Sequence, residues 1–291
     1  MKTMSQSSGQ IRLPLAPGRS LALAVLYEDE ALIALDKPSG LMVSPDTYDP
    51  KKPNLMSALR RAMDTRAEWV CARGLNYLAN AHRLDADASG VLLLAKTRDA
   101  LRALAQQFND RTAEKCCLAL VEGEPQENEF SVEMKLGPHP ARPWMQVERR
   151  QDGRRTLTRF QVLQRFRLPW LRTVAESATP RLTSCTLVQC EPETERAHYL
   201  RVHLSHAGHP ILCDKVYGHG DHSALYLSQL KPHYKQHAGV PERPLLGRLA
   251  LHAQRLVVNH PLSGQRLELE SPPPNDFAVA LKNLRKFTRV S

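Results

Sequence analysis

The chain has 291 residues, 40 of them Lys or Arg against 30 Asp or Glu, for a formal net charge of +10. That length supports one large domain or two small ones around a true core. The positive balance favours a polyanionic partner, nucleic acid first, the bland alternative being a generally basic enzyme. No apolar run reaches the length of a transmembrane helix. The six cysteines, at 71, 116, 117, 185, 190 and 213, form neither a Cys-x-x-Cys pair nor a regular framework, which points to reduced thiols in a cytoplasmic compartment and away from structural zinc.

Residues 1–20 contain no acid and carry Lys2, Arg12, Arg19 and several serines. This faintly echoes an organelle transit peptide, but two prolines and sparse arginine favour a disordered tail, with the folded domain over 21–291. "AVLYEDEALIALDKPSGLMVS" reads as strand, acidic turn at Glu28–Glu30, strand, a break at Pro38 and Gly40, and a short strand. "NLMSALRRAM" places Leu55, Ala58, Leu59 and Ala62 on one helical face. "GVLLLA" reads as a buried strand, and "DALRALAQQF" as a helix with Leu101, Leu104, Ala105 and Phe108 inward behind Asp99 as N-cap. "CCLALVEGEP", "TLTRFQVLQRF" and "TSCTLVQCEP" are strand-like. "RLALHAQRLVVNHP" and "QRLELESPPP" predict a closing hairpin before a basic C-terminal helix with Lys282, Arg285 and Lys286. The polar, proline-bearing segments around Trp170 and from His219 to Arg248 read as long surface loops. Strands and helices mix without regular alternation, which predicts an α+β fold rather than a doubly wound one.

Two charged residues stand out against this background. "TERAHYLRVHLSHAGHP" reads as a helix from an N-cap at Thr194 to a stop at Gly208, with Ala197, Leu200 and Leu204 on its apolar face together with Arg201. An arginine there either snorkels outward or meets a carboxylate. In "NAHRLDADASGVLLLAK", Asp85 is bracketed by apolar segments and followed by a Ser89-Gly90 turn. It is either a turn aspartate that caps local N–H groups or the carboxylate that Arg201 requires. In the second case the pair holds it ionised, as suits a nucleophile or proton acceptor at neutral pH.

"HRLDADASGVLLLAK" resembles the catalytic stretch of the RluA-type pseudouridine synthases. "DKPSGLMV", "RAHYLRVHLSHAGHPILCDKVYG" and "RLALHAQRLVVNHP" resemble that family's other blocks in the same order. The resemblance runs from about Val25 to about Phe277 and leaves no room before Val25 for the RNA-binding module that many members carry, so a stand-alone catalytic domain over 21–291 is expected. It implies the pseudouridine synthase fold: a mixed, largely antiparallel sheet with flanking helices and a central RNA-binding cleft. It also implies an isomerase that detaches a uracil in structured RNA (rRNA or tRNA), turns it and rejoins it through carbon, without cofactor or metal, as a cytoplasmic monomer. By the same resemblance Asp85 is the catalytic aspartate, acting by attack or by proton abstraction at the sugar, and Arg201 is its partner. Arg83 enters the stack where the flipped nucleotide was. His82, Cys117, His198 and Tyr199 then lie along the substrate.

The chain departs from the family at Ala88, at Glu195-Arg196-Ala197-His198-Tyr199 and at Cys117, which replaces a tyrosine expected to stack on the target uracil. These departures leave two rivals. One is a catalytically weakened relative that binds RNA as a folding or assembly factor. The other is a metal hydrolase using His198, His203, His206 and His209, without an H-E-x-x-H motif to support it.

Overall fold

A computed structural model describes residues 9–16, 19–168, 182–194, 196–220, 223–231, 234–235 and 239–290. They form two compact units, Met1–Lys115 with Ala253–Pro272, and Cys116–His252 with Pro273–Ser291. The first unit opens with strand β1 (Gly9–Ala16), paired antiparallel with β2 (Arg19–Glu28). Residues 9–16 were expected in the unstructured tail. They form a strand because Ile11 and Leu13 alternate with exposed Gln10, Arg12 and Pro14 and reach the core. Asp29 then turns the chain into β3 (Leu32–Lys37), accepting hydrogen bonds from the Ala31 and Leu32 amides and pairing with His260.

Helix α1 (Leu55–Asp64) is capped by Asn54 and buries the expected face, Leu55, Ala58, Leu59 and Ala62. Short α2 (Glu68–Ala72) and β4 (Ala79–Asn80) lead into β5 (Ser89–Ala95), which is buried along its whole length. Its unbroken apolar run is explained by two layers. Leu92 and Leu94 face the cluster built on α1, while Val91, Leu93 and Ala95 face the cluster built on α3 (Arg98–Asn109). Helix α3 is capped by the Thr97 hydroxyl, which accepts from the Ala100 amide, and not by Asp99. Asp99 sits in the first turn instead, where a carboxylate favours the helix dipole.

The second unit contains β6 (Glu114–Glu122), β7 (Glu129–Pro138), β8 (Gln146–Glu148), β9 (Arg154–Arg167), β10 (Ser184–Pro192) and helix α4 (Tyr199–His206). The sequence reading missed β7, although Val132, Met134 and Leu136 alternate inward with strand period. Helix α4 starts at Tyr199 with His198 as N-cap in a left-handed conformation, φ 56°. Thr194, the expected cap, instead accepts from the Leu157 amide, and Ala197 is exposed rather than on the apolar face. The chain returns to the first unit for β11 (Leu251–Asn259) and β12 (Arg266–Glu270), the expected hairpin, and ends with α5 (Asn275–Phe287) and β13 (Arg289–Val290).

In the first unit the sheet order is β1-β2-β3-β5-β11, with β12 on β11 and β4 on β5. In the second it is β6-β10-β9-β7-β8, with β13 on β9. The registered ladders are antiparallel, so each unit is the α+β arrangement expected. The loop around Trp170 and residue Glu195 lie outside the described residues.

Candidate active site

In the first unit the Asp85 segment is held from below by a lysine. Lys37, fully buried at the end of β3, donates from Nζ to the carbonyls of Pro38 (2.9 Å), Leu41 (2.8 Å) and Ala86 (3.0 Å). Those three acceptors use the three donors of an ammonium. The Gly40 amide adds a bond to the Ala86 carbonyl (2.8 Å), from a residue at φ 81° where glycine is unstrained. Ser39 Oγ donates to the Asp87 carbonyl at 2.6 Å. The Pro38–Leu41 turn and the Asp85–Asp87 turn are thus one clamped body, with Asp85 half-buried and Arg83 exposed beside it. Below it, Gly90 is needed for close approach: a Cβ there would stand 2.1 Å from the Ala253 carbonyl oxygen.

His82 faces inward and is buried. Its Nε2 accepts from the Leu93 amide at 3.0 Å, so a neutral ring carries its proton on Nδ1, which is buried without a hydrogen-bond partner among the described residues. Burial, reinforced by the Lys115 cation, pushes its pKa well below the usual histidine value. The structure therefore places His82 as a neutral group tying the loop to β5.

In the second unit Arg201 is 4% exposed, on the inner face of α4. Of the two readings left open, the structure takes the carboxylate partner, and that partner is Asp214, which the sequence reading missed in naming Asp85. Nε donates to Asp214 Oδ2 at 2.7 Å and Nη2 to Oδ1 at 2.6 Å, a bidentate pair. Asp214 also accepts from the Val216 and Tyr217 amides. Burial raises its pKa, but the Arg201 bonds and charge with the two amides outweigh this and hold it below the usual carboxylate value. The Tyr217 ring lies 5.0 Å from the guanidinium carbon, and its hydroxyl accepts from the Gln146 amide (2.8 Å) and contacts His198 Nδ1 (2.9 Å). Asp214 and Tyr217 stand in the quoted "ILCDKVYG", but a pairing across 13 residues leaves no periodic signal.

Tyr199, half-buried, opens α4 with its ring 6.4 Å from that of His203. His203 is fully buried between two threonines, Nε2 2.8 Å from Thr156 Oγ1 and Nδ1 3.0 Å from Thr158 Oγ1. Thr156 spends its proton on the Met134 carbonyl, so Nε2 is the donor to it and Nδ1 accepts from Thr158. His209 contacts the Glu122 carbonyl, and the described residues hold no group of three His, Cys, Asp or Glu side chains able to bind a metal. Cys117 is buried on β6, opposite Cys190 of β10.

A family model of RNA pseudouridylate synthases matches residues 31–206. The chain is 35% identical over 273 residues to ribosomal large subunit pseudouridine synthase D of Nitrosomonas europaea, covering 94% of this chain and 68% of that protein. It is 34% identical over 267 residues to ribosomal large subunit pseudouridine synthase C of Escherichia coli K12, covering 91% and 71%. Among solved structures, human RNA pseudouridylate synthase domain containing 4 aligns at TM-score 0.61 and 22% identity over 90% of this chain and 92% of that one. Human RNA pseudouridylate synthase domain containing 1 aligns at 0.58 and 20%, over 94% and 87%. The chain belongs to the RNA pseudouridylate synthase family, in its RluA-type branch. It is an isomerase that converts uridine in RNA to pseudouridine.

Proposed function

We propose that the substrate is ribosomal RNA of the large subunit, and that Asp85 and Arg201 act as one catalytic unit on the target uridine. The identity to large-subunit synthases over more than nine-tenths of the chain carries the substrate reading. The local architecture supports the roles. Lys37 and Gly40 fix the Asp85 turn, Arg83 is exposed next to it to fill the gap left by a flipped base, and Asp214 pre-sets the Arg201 fork.

The reaction breaks the N1–C1′ bond, rotates the uracil and forms a C5–C1′ bond, with the C5 proton lost to solvent and returned at N1. Asp85 serves either by attacking C1′ or by taking a sugar proton; both need an ionised, positioned carboxylate. No residue of the chain needs a cofactor or metal for these steps. His198 and Tyr199 at the start of α4 lie along the substrate in this reading, Cys117 is packed within β6 away from it, and His82 supports the loop rather than touching the base. The enzyme works as a cytoplasmic monomer, and among the described residues no helix is long and apolar enough to cross a membrane. Mapping pseudouridines in RNA from cells with and without the protein tests the proposal. One large-subunit uridine should lose its modification, and an unchanged ribosomal map would overturn the substrate assignment.

A further inference from the structure

The hairpin from β7 to β8 ends in Pro138-His139-Pro140-Ala141-Arg142-Pro143-Trp144-Met145, with two basic-type residues and no acid. The loop is closed on itself. His139 donates its amide to the Met145 carbonyl (2.9 Å), Met145 donates to the Arg142 carbonyl (2.8 Å), and His139 Nδ1 accepts from the Ala141 and Arg142 amides (3.1 Å each). Its prolines further restrict the backbone. On this stiff loop Trp144 is 47% exposed. Arg142 is exposed too, with no carboxylate partner among the described residues. An indole and a guanidinium exposed to water, the second without a carboxylate partner among the described residues, form a surface that complements a base and its phosphate.

Its place in the fold fits that use. Two residues beyond Trp144, the Gln146 amide bonds the Tyr217 hydroxyl (2.8 Å), and the Tyr217 ring lies over Arg201. The strand that follows the loop is therefore tied to the ring that packs on Arg201.

We propose that Trp144 is a base-stacking residue for the RNA substrate, receiving an unpaired nucleobase near the target uridine while Arg142 meets an adjacent phosphate. RNA is read largely through splayed bases stacked on aromatic rings, and stacking tolerates any base. The inference rests on the RNA reading above and adds a substrate-binding residue to it. A protein partner is less well matched, since the loop offers positive charge without an acid to pair with a mixed surface.

The test uses the full chain and a decauridylate probe. Trp144→Ala should weaken filter-binding affinity about tenfold, the loss of one base–aromatic stack, with an unchanged circular dichroism spectrum and urea midpoint because the side chain is exposed. Trp144→Phe, which keeps a ring, should retain most of the affinity. Decauridylate should quench the tryptophan fluorescence of the wild type but not of Trp144→Phe. Wild-type affinity in Trp144→Ala, or undiminished quenching in Trp144→Phe, would overturn the inference. A wild type that stacks decauridylate but forms no pseudouridine in ribosomal RNA would defeat the substrate proposal and leave this one standing.

Discussion

The Arg201 guanidinium and the Asp214 carboxylate face each other as a buried two-bond fork, at 2.7 and 2.6 Å, with side chains 4% and 0% exposed. The pair joins α4 to the segment that follows it, where Asp214 is further tied by the Val216 and Tyr217 amides. The Asp214→Ala variant should lose about 3–5 kcal/mol in urea unfolding, because removing one partner strands the other's desolvated charge. The native pKa of Asp214 lies below the ordinary 3.8. Its contribution is thus complete above that value and disappears as pH falls below it through the native pKa. A variant as stable as the wild type at pH 7 would show the fork to be dispensable.

His203 gives a second pH dependence of the opposite origin. Burial, helped by His206, lowers its pKa from 6.5 to about 4. Between those values the unfolded chain binds a proton that the native protein refuses, so stability should fall with acidification from pH 6.5 toward 4, at up to about 1.4 kcal/mol per pH unit. Buried His82 acts in the same direction. Stability curves for wild type and His203→Gln, compared from pH 7 to 4, should show a shallower slope in the variant; identical slopes would assign the proton elsewhere.

Asp85→Asn should abolish pseudouridine formation while leaving the fold and RNA affinity near wild type, since the Lys37 clamp holds the turn through main-chain carbonyls. Arg83→Ala should leave stability within about 0.5 kcal/mol, as surface changes do, and slow single-turnover rates by weakening the exchange of a base for a side chain in the stack. Normal turnover in Asp85→Asn would sink the catalytic assignment.

Cys117 faces a packed neighbourhood, 5% exposed and opposite fully buried Cys190, whose own thiol pKa burial pushes far up. Putting the family's ring back should overpack this position. We expect Cys117→Tyr to lose about 1–3 kcal/mol of stability without a gain in turnover. A rise of tenfold or more in single-turnover rate would mean instead that the ring reaches the base and restores stacking.

The sequence by itself determined the features that depend on short spacing. The apolar face of α1, the basic C-terminal helix α5, the fully buried β5, the β11–β12 hairpin and the ordered blocks around Asp85 and Arg201 were legible because helical and strand periods, turn residues and motif order are local properties. For Arg201 it left open an outward-pointing side chain or a carboxylate partner, and the partner it named was Asp85, whereas the bidentate fork is made with Asp214. Tertiary structure decided what depends on distant atoms meeting. Thr97 rather than Asp99 caps α3, because the cap is whichever oxygen the fold aims at the free amides, and α4 begins at Tyr199, after a left-handed His198 that gives no side-chain cap. Residues 9–16 became a strand because β2 offered a partner and the α1 layer a place for Ile11 and Leu13. Lys37 is buried because three carbonyls converge on it, and Asp214 rather than any nearer acid lies in line with the Arg201 fork. Such convergence has no period in the chain, since its energy comes from desolvated charges brought together in three dimensions.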